Sequence, residues 1–375
     1  MLSFKPSSKL EKELRLLQET CIKTALGLEG LSAEEASFLN RFALISNVGA
    51  STRIENAVLT DREVEWLDTT LFRDGKPGVF EEKKAFILDK LSKDRERSIE
   101  EVAGCRQVLT TVYLQAKELF PITETIIRGL HHELLRYYPA AQNHAGGYKT
   151  VSNQVVSFDH DTGEKRVVLD PAPPGIQTET AMADLVQWYR QSIHEDTWPL
   201  LVVVEFVFRF LAIHPFEDGN GRLGRALFLL ILLQADDQYL TTLIPYLALD
   251  RYIEQNRALY YATLHKCSDG TFHSDSLEYD LEPIAWFFIK VLRASLGDID
   301  LYRRRYAALQ QLPESGLAVL DAFKASPEKR LAVREIEQET GLPRRTIQYA
   351  LRILSEKQFI QKLGQGAASR YQLVF

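Results

Sequence analysis

Between the apolar segments Leu200–Ile213 and Ala226–Leu233 lies a stretch dense in groups that handle phosphate: His214-Pro-Phe-Glu-Asp-Gly-Asn-Gly-Arg-Leu-Gly-Arg225. Gly219 and Gly221 carry no side chain, so the backbone can approach a ligand closely there. A helix starting at this point aims free N–H groups at that ligand, and such a terminus favours anions, phosphate above all. Arg222 and Arg225 are three apart and share one face of such a helix, and their planar forks suit phosphate oxygens. Asp218 is a hard oxygen donor of the kind that takes Mg²⁺ together with phosphate oxygens and water. His214, with an ordinary pKa of ~6.5, is largely neutral at pH 7 and can accept a proton. Anchor, metal ligand and base together describe phosphoryl-type transfer.

Three other readings of the same stretch explain it less well. Gly219-Asn-Gly-Arg-Leu-Gly224 is formally a dinucleotide fingerprint, but that needs a strand running straight into its first glycine. Here Pro215-Phe-Glu-Asp intervenes, and no βαβ alternation surrounds it. The chain has no GxxxxGK[ST] loop, which removes the P-loop NTPases. An ordinary helix–loop–helix with a buried histidine does not need so many polar residues between two apolar segments.

The elements around this stretch read mostly as helices. Leu10–Leu28, Glu81–Lys90, Ile99–Ala116, Ile122–Tyr138 and Thr178–Ser192 carry helical spacing, and helices continue to about Leu296. Ser32-Ala-Glu-Glu resembles a capping box. Asp74–Gly78 is a loop. The period changes at Gly146–Ser157 and Arg166–Leu169, which read as a β-hairpin about the turn Asp161-Thr-Gly163. Propensity alone makes Leu200–Phe210, rich in valine and phenylalanine, a strand.

At every fixed position His214 to Arg225 matches the signature H-x-F-x-[D/E]-G-N-G-R-x-x-R, and the chain resembles the Fic-domain proteins over roughly residues 95–295. The resemblance implies an all-helical core with a small β-hairpin flap, which turns Leu200–Phe210 into a helix. It implies an AMP-transferase that uses ATP and Mg²⁺ to adenylylate protein hydroxyls. His214 then deprotonates a target Ser, Thr or Tyr, whose oxygen attacks the α-phosphorus as pyrophosphate leaves. Asp218 holds Mg²⁺, Asn220 and the backbone of Gly219–Gly221 form the anion cradle, and Arg222 and Arg225 bind the outer phosphates. Phe216 is a core anchor. Tyr261 resembles a tyrosine lining the adenine pocket. The hairpin, with Tyr148, Thr150, Val151 and Ser152, resembles the flap that registers the target by strand addition.

Upstream, Ser51-Thr-Arg-Ile-Glu55-Asn56 resembles the Fic inhibitory motif [S/T]-x-x-x-E-[G/N]. Glu55 is then expected to pair bidentately with Arg225, occupying the arginine meant for the γ-phosphate. That makes an intramolecular brake and low basal activity. The same glutamate could position water for removal of AMP. His131-His132-Glu133 reads as structural or surface, because adjacent residues on a helix face different ways.

Four segments follow: an N-terminal helical region with the inhibitory motif (1–94), a catalytic core (95–297), a connector (298–315) and a C-terminal unit (316–375). In the last, Leu317–Ala325, Val333–Thr340 and a helix opened by Pro343 precede two strands around Gly364-Gln-Gly366. That is the winged-helix pattern. Arg344, Arg345, Gln348 and Arg352 face outward on its third helix and suit DNA, with dimerisation or target docking as the equal alternative. The fold class expected is mainly α, with a hairpin flap and a winged-helix domain.

Composition bounds the partners. Across 375 residues, 45 Lys and Arg meet 51 Asp and Glu, a net charge of −6. Residues 316–375 hold ten basic and six acidic residues, leaving 35 and 45 for the rest, so +4 sits against −10. The acidity belongs to the catalytic and N-terminal parts and leaves DNA open at the C-terminal unit. Cys21, Cys105 and Cys267 are too few and scattered for a disulfide framework. No apolar run reaches membrane-spanning length, and the N-terminus lacks the apolar core of a secretory signal. The expectation is a cytoplasmic protein without membrane contact. Its partners are a hydroxyl-bearing protein target, DNA through 316–375, and a second copy in a homodimer. A DNA-binding regulator whose core mainly binds nucleotide or removes AMP is the alternative function.

Overall fold

The structure, a computed structural model, describes all residues other than 1, 74–75, 78–79, 159–164, 196–197, 326–328, 365–368 and 375. The turns expected at 161–163 and at 365–366, and parts of the loop at 74–78, lie outside the described residues.

Two compact units emerge, Met1–Ala57 with Glu100–Ile299, and Val58–Ile99 with Asp300–Phe375. The first opens with α1 (Ser8–Leu26) and α2 (Ala33–Ile54). The chain then gives the second unit α3 (Asp61–Leu71), the short strands β1 (Phe72–Arg73) and β2 (Lys76–Pro77), and α4 (Phe80–Leu91). It returns to the first within α5 (Glu96–Gln115), followed by α6 (Glu124–Leu135), β3 (Val155–Phe158), β4 (Lys165–Leu169) and α7 (Ile176–Glu195). Next come α8 (Pro199–Ile213), α9 (Asn220–Gln234), α10 (Gln238–Leu243), α11 (Leu249–Gln255), α12 (Arg257–Ser268) and α13 (Glu282–Leu296). Helix α14 (Asp298–Gln310) occupies most of the segment read as a connector. The second unit ends with α15 (Glu314–Lys324), α16 (Val333–Thr340), α17 (Arg344–Glu356), β5 (Ile360–Leu363) and β6 (Arg370–Leu373). The architecture is mainly α, with small antiparallel pairs. The stretch taken as one N-terminal region, 1–94, is shared between the units at Ala57/Val58.

Helix α8 is the centre of the first unit. All its residues but Pro199 and Arg209 are buried, so it is a helix buried on every side and apolar apart from Glu205, which pairs with Arg209 at 3.3 Å. Its valines and phenylalanines favour strands locally, but the run is long for a strand and Pro199 at its first turn favours a helix start. Burial of both α8 and α9 fixes their ends, and the phosphate-type loop joins those ends. Ser32 caps α2 as expected, accepting from the Glu35 N–H at 3.1 Å.

The hairpin differs from expectation on its first strand. Pairing begins only at Val155, opposite Leu169, with an irregularity at Val155/Val156. Tyr148, Thr150, Val151 and Ser152 precede the strand, because that segment bonds to the loop instead. The Lys149 N–H donates to the Pro215 carbonyl at 2.8 Å, and the Asn153 amide donates to the Phe216 carbonyl at 2.8 Å.

In the second unit α15, α16 and α17 precede the antiparallel pair β5–β6, as the C-terminal pattern led us to expect. Helix α17 buries Ile347, Ala350, Leu351 and Leu354, while Arg344, Arg345, Gln348 and Arg352 are exposed. Among the described residues no helix is long and apolar enough to cross a membrane.

Candidate active site

The loop from His214 to Gly219 is held by its own side chains. Residue His214 ends α8 in a left-handed conformation (φ 50°), its N–H donating to the Phe210 carbonyl at 2.9 Å. Gly219, at φ 78°, starts α9 in the conformation that glycine adopts without a Cβ penalty. Asn220 is buried and both ends of its amide bond to Phe216: Oδ1 accepts from the N–H at 3.0 Å and Nδ2 donates to the carbonyl at 2.7 Å. Its side chain therefore closes the loop, and only its backbone is left for an anion. Phe216 is fully buried and stacks on His131 with ring centroids 3.8 Å apart.

His131 is the prop beneath the loop. Its Nε2 bonds the Asp218 carbonyl at 2.9 Å and its Nδ1 accepts from the Gly146 N–H at 2.8 Å. Those partners fix a neutral ring with the proton on Nε2. Burial, opposed by the Asp218 carbonyl, pushes its pKa down to about 4. The structural role read for this histidine thus has a definite object.

His214 Nδ1 faces the Leu211 carbonyl at 3.2 Å, so in the neutral ring Nδ1 donates and Nε2 keeps its lone pair. Burial, with the Lys149 ammonium second, pushes the imidazole down to about 4, outweighing Glu55 and Asp218. At pH 7 the ring is an unprotonated base.

The two arginines sit in different places. Arg222 Nη2 reaches Asp218 Oδ1 at 3.3 Å, and its Nη1 lies 3.7 Å from Glu101. It stays buried behind the loop and is not among the residues lining the cleft. Arg225 lines the cleft. Its Nε donates to Ser51 Oγ at 2.9 Å, and its Nη2 donates to the Ser51 carbonyl at 2.7 Å and to Glu55 Oε1 at 2.9 Å. The pairing with Glu55 is single rather than bidentate, because Ser51 takes the Nε edge of the fork. Burial opposes the charge of Arg225, but Glu55 and Asp250 more than offset this and raise its pKa. The Glu55 carboxylate also rests on the first turn of α9: a Cβ built on Gly221 would overlap it. An internal carboxylate thus lies at a helix N-terminus beside an arginine, where an anion is favoured.

The end of α2 that carries Glu55 is tied down on both sides. Arg53 donates two hydrogen bonds to Glu254, from Nε at 2.6 Å and from Nη2 at 2.9 Å, and Asn56 Oδ1 accepts from Arg257 at 2.9 Å.

The cleft lies between these groups and the hairpin. His214, Asp218, Gly219, Gly221, Arg225 and Glu55 line its polar end. Tyr260, Tyr261, Leu264, Val168 and Leu211 line its apolar side. Tyr261 lines the cleft with the Arg257 guanidinium 5.8 Å from its ring. Burial first, then Glu55, pushes its hydroxyl up to about 12. Of the hairpin, Gln154, Val155 and Val156 line the cleft, whereas Tyr148, Thr150, Val151 and Ser152 do not. Tyr148 donates to Glu124 at 2.7 Å, and Thr150 donates to Glu217 at 3.2 Å.

Sequence reasoning missed Lys149, which is buried and donates to the Ile213 carbonyl at 3.1 Å and to Asn153 Oδ1 at 2.9 Å. Burial lowers its pKa to about 8. A lysine beside tyrosine in a strand-like pattern gives no local sign of this, since its partner carbonyl is 64 residues away.

For a metal, Asp218 stands alone. Among the described residues no three His, Cys, Asp or Glu groups converge. One Asp218 oxygen already accepts from the Gly219 N–H at 2.6 Å and from Arg222. A single carboxylate fits Mg²⁺ whose other ligands are phosphate oxygens and water, and does not fit an all-protein cage.

Residues 121–232 match the Fic/DOC family. The chain is 25% identical over 158 residues to a protein adenylyltransferase fic-1 of Caenorhabditis elegans, a region that is 42% of this chain and 26% of that protein. The match thus spans about a quarter of the relative's length. In fold, a Fic family protein of Desulfovibrio desulfuricans is similar over 100% of this chain and 98% of its own, with TM-score 0.56 and 23% identity. A Fic-domain signalling protein of Bacteroides thetaiotaomicron is similar over 77% of this chain and 98% of its own, with TM-score 0.56 and 22% identity.

Proposed function

We propose that this chain, whose residues 121–232 carry a Fic/DOC-family domain, transfers AMP from ATP to a serine, threonine or tyrosine hydroxyl of a protein, itself included, and releases pyrophosphate. The observation that carries this reading is the neutral His214, with a free Nε2 lone pair, in one cleft with a helix N-terminus and the buried Arg225. In the reaction His214 Nε2 takes the hydroxyl proton as that oxygen bonds to the α-phosphorus. The bond from the α-phosphorus to the pyrophosphate oxygen breaks. The N–H groups at the head of α9 and Arg225 bind the phosphates, and the aromatic side of the cleft takes the base. Asp218 would hold Mg²⁺, which neutralises phosphate charge when bound. The name of the nematode relative supports the transferred group.

Glu55 holds this activity down. Its carboxylate takes the place beside Arg225 and Gly221 that a terminal phosphate needs. The test uses the Glu55→Gly chain and ATP labelled at either phosphate end. Protein-bound label is expected from α-labelled ATP and none from γ-labelled ATP; the reverse result means phosphate transfer and ends the proposal.

A second reading concerns the other unit. The exposed row Arg344, Arg345, Gln348 and Arg352 on α17 supports winged-helix docking to duplex DNA. Binding of the full chain to a labelled duplex should weaken by about 10²-fold or more between about 50 and about 200 mM salt. Absence of binding at the lower salt points instead to a protein-docking face.

A further inference from the structure

Resting on the nucleotide reading, we propose that Asp250 is the fixed counter-charge of Arg225, a positioning residue that keeps the guanidinium aimed into the cleft when Glu55 gives way to a terminal phosphate. Asp250 lies near the start of α11 and is 2% exposed. Its Oδ2 stands 4.0 Å from Arg225 Nε and has no hydrogen-bond partner among the described residues. Its backbone N–H donates to Asn47 Oδ1 at 3.0 Å, and the Asn47 amide donates in turn to the Leu247 carbonyl at 2.8 Å and to the Tyr113 hydroxyl at 3.0 Å. The carboxylate is therefore held by well-anchored backbone.

The two carboxylates meet different edges of the guanidinium. Asp250 approaches Nε, while Glu55 takes Nη2 on the cleft side. The Glu55 side chain keeps 31% of its surface exposed, against 3% for Asp250. Nη1 makes no hydrogen bond among the described residues and lies against Gly221 at the head of α9. A phosphate oxygen can thus replace Glu55 at Nη2 and engage Nη1 without disturbing Asp250. With Glu55 withdrawn and no second anion, Arg225 is a buried cation without a charged partner, a costly state that favours turning away from the cleft. Burial pushes the Asp250 carboxyl up to about 6, opposed first by the Arg225 charge and then by Ser51, so at pH 7 it is still mainly the anion.

The experiment compares Glu55→Gly with Glu55→Gly/Asp250→Asn, the second change keeping shape but removing charge. Calorimetric titration uses a non-hydrolysable ATP analogue with Mg²⁺, and AMP alone. The double variant is expected to bind the triphosphate about tenfold more weakly while its affinity for AMP stays within about twofold. Equal triphosphate affinity in the two chains overturns the proposal. So does parallel loss of AMP binding, which marks a structural role. Asp250→Glu, which restores the charge, should recover part of the lost affinity. A Glu55→Gly chain that binds neither nucleotide fails at an earlier step and removes the nucleotide reading itself.

Discussion

Replacing His214 by alanine in the Glu55→Gly chain should lower transfer of α-labelled phosphate by about 10²–10⁴-fold, with ATP affinity little changed. Among the described residues the side chain makes one hydrogen bond, to the Leu211 carbonyl, and the cap on α8 comes from its backbone N–H. Removing the ring therefore leaves the loop closed by Asn220 and propped by His131. The left-handed backbone at φ 50° disfavours alanine by about 1–2 kcal/mol, so His214→Asn, which tolerates that region, is the companion variant. Both should bind nucleotide and fail to transfer it. Retained transfer in His214→Asn would mean that the hydroxyl proton leaves by another path.

The pH profile follows from the same environment. Free His214 sits near 4, so in the Glu55→Gly/Asp250→Asn chain kcat/KM should stay flat as pH falls from 8 to about 5 and drop below that, whereas chains that keep Asp250 should lose part of it near pH 6 as that carboxyl is protonated. His131 is pushed to a similar value. Between ~6.5 and about 4 both imidazoles bind fewer protons folded than unfolded, so stability declines as pH falls through that window. Initial rates, checked against a melting curve at each pH, separate the two effects.

How far the site was legible depends on how local each cause is. The motif from His214 to Arg225 is one contiguous stretch, a short loop and the first turns of α9, and His214 and its cleft-facing arginine lie within the sequence that names them. Leu200–Phe210 shows the limit of propensity: its valines favour a strand, and only its burial on every side and its proline start make it a helix. Asn220 and Arg222 show the limit of a motif. Their types suit phosphate, but Asn220 spends its amide on Phe216 and Arg222 is drawn behind the loop by Asp218 and Glu101. Tyr148, Thr150, Val151 and Ser152 lie ahead of the strand because Lys149 and Asn153 bind the loop, across separations of more than sixty residues that no local pattern encodes. Asp250 reaches Arg225 from a separate helix for the same reason.

Glu55→Gly should raise self-labelling from α-labelled ATP by about 10–150-fold over the unaltered chain. The Arg225–Glu55 bond joins two charged groups, and such a bond is worth about 1.5–3 kcal/mol against a competing phosphate. The backbone at Glu55 is ordinary (φ −94°), so glycine removes the carboxylate without being needed for the turn. The end of α2 stays docked through Arg53–Glu254, Asn56–Arg257 and the Ser51 bonds to Arg225, none of which uses the Glu55 side chain. A melting temperature close to that of the unaltered chain is therefore part of the expectation. Glu55→Gln separates charge from bulk. It keeps the volume over Gly221 but weakens the hold on Arg225, so its labelling should fall between the two. If Gln matches Gly, charge alone is the brake; if Gln matches Glu, the obstruction over the first turn of α9 dominates. If neither variant labels faster, Glu55 does not compete with the terminal phosphate, and its bond to Arg225 is structural.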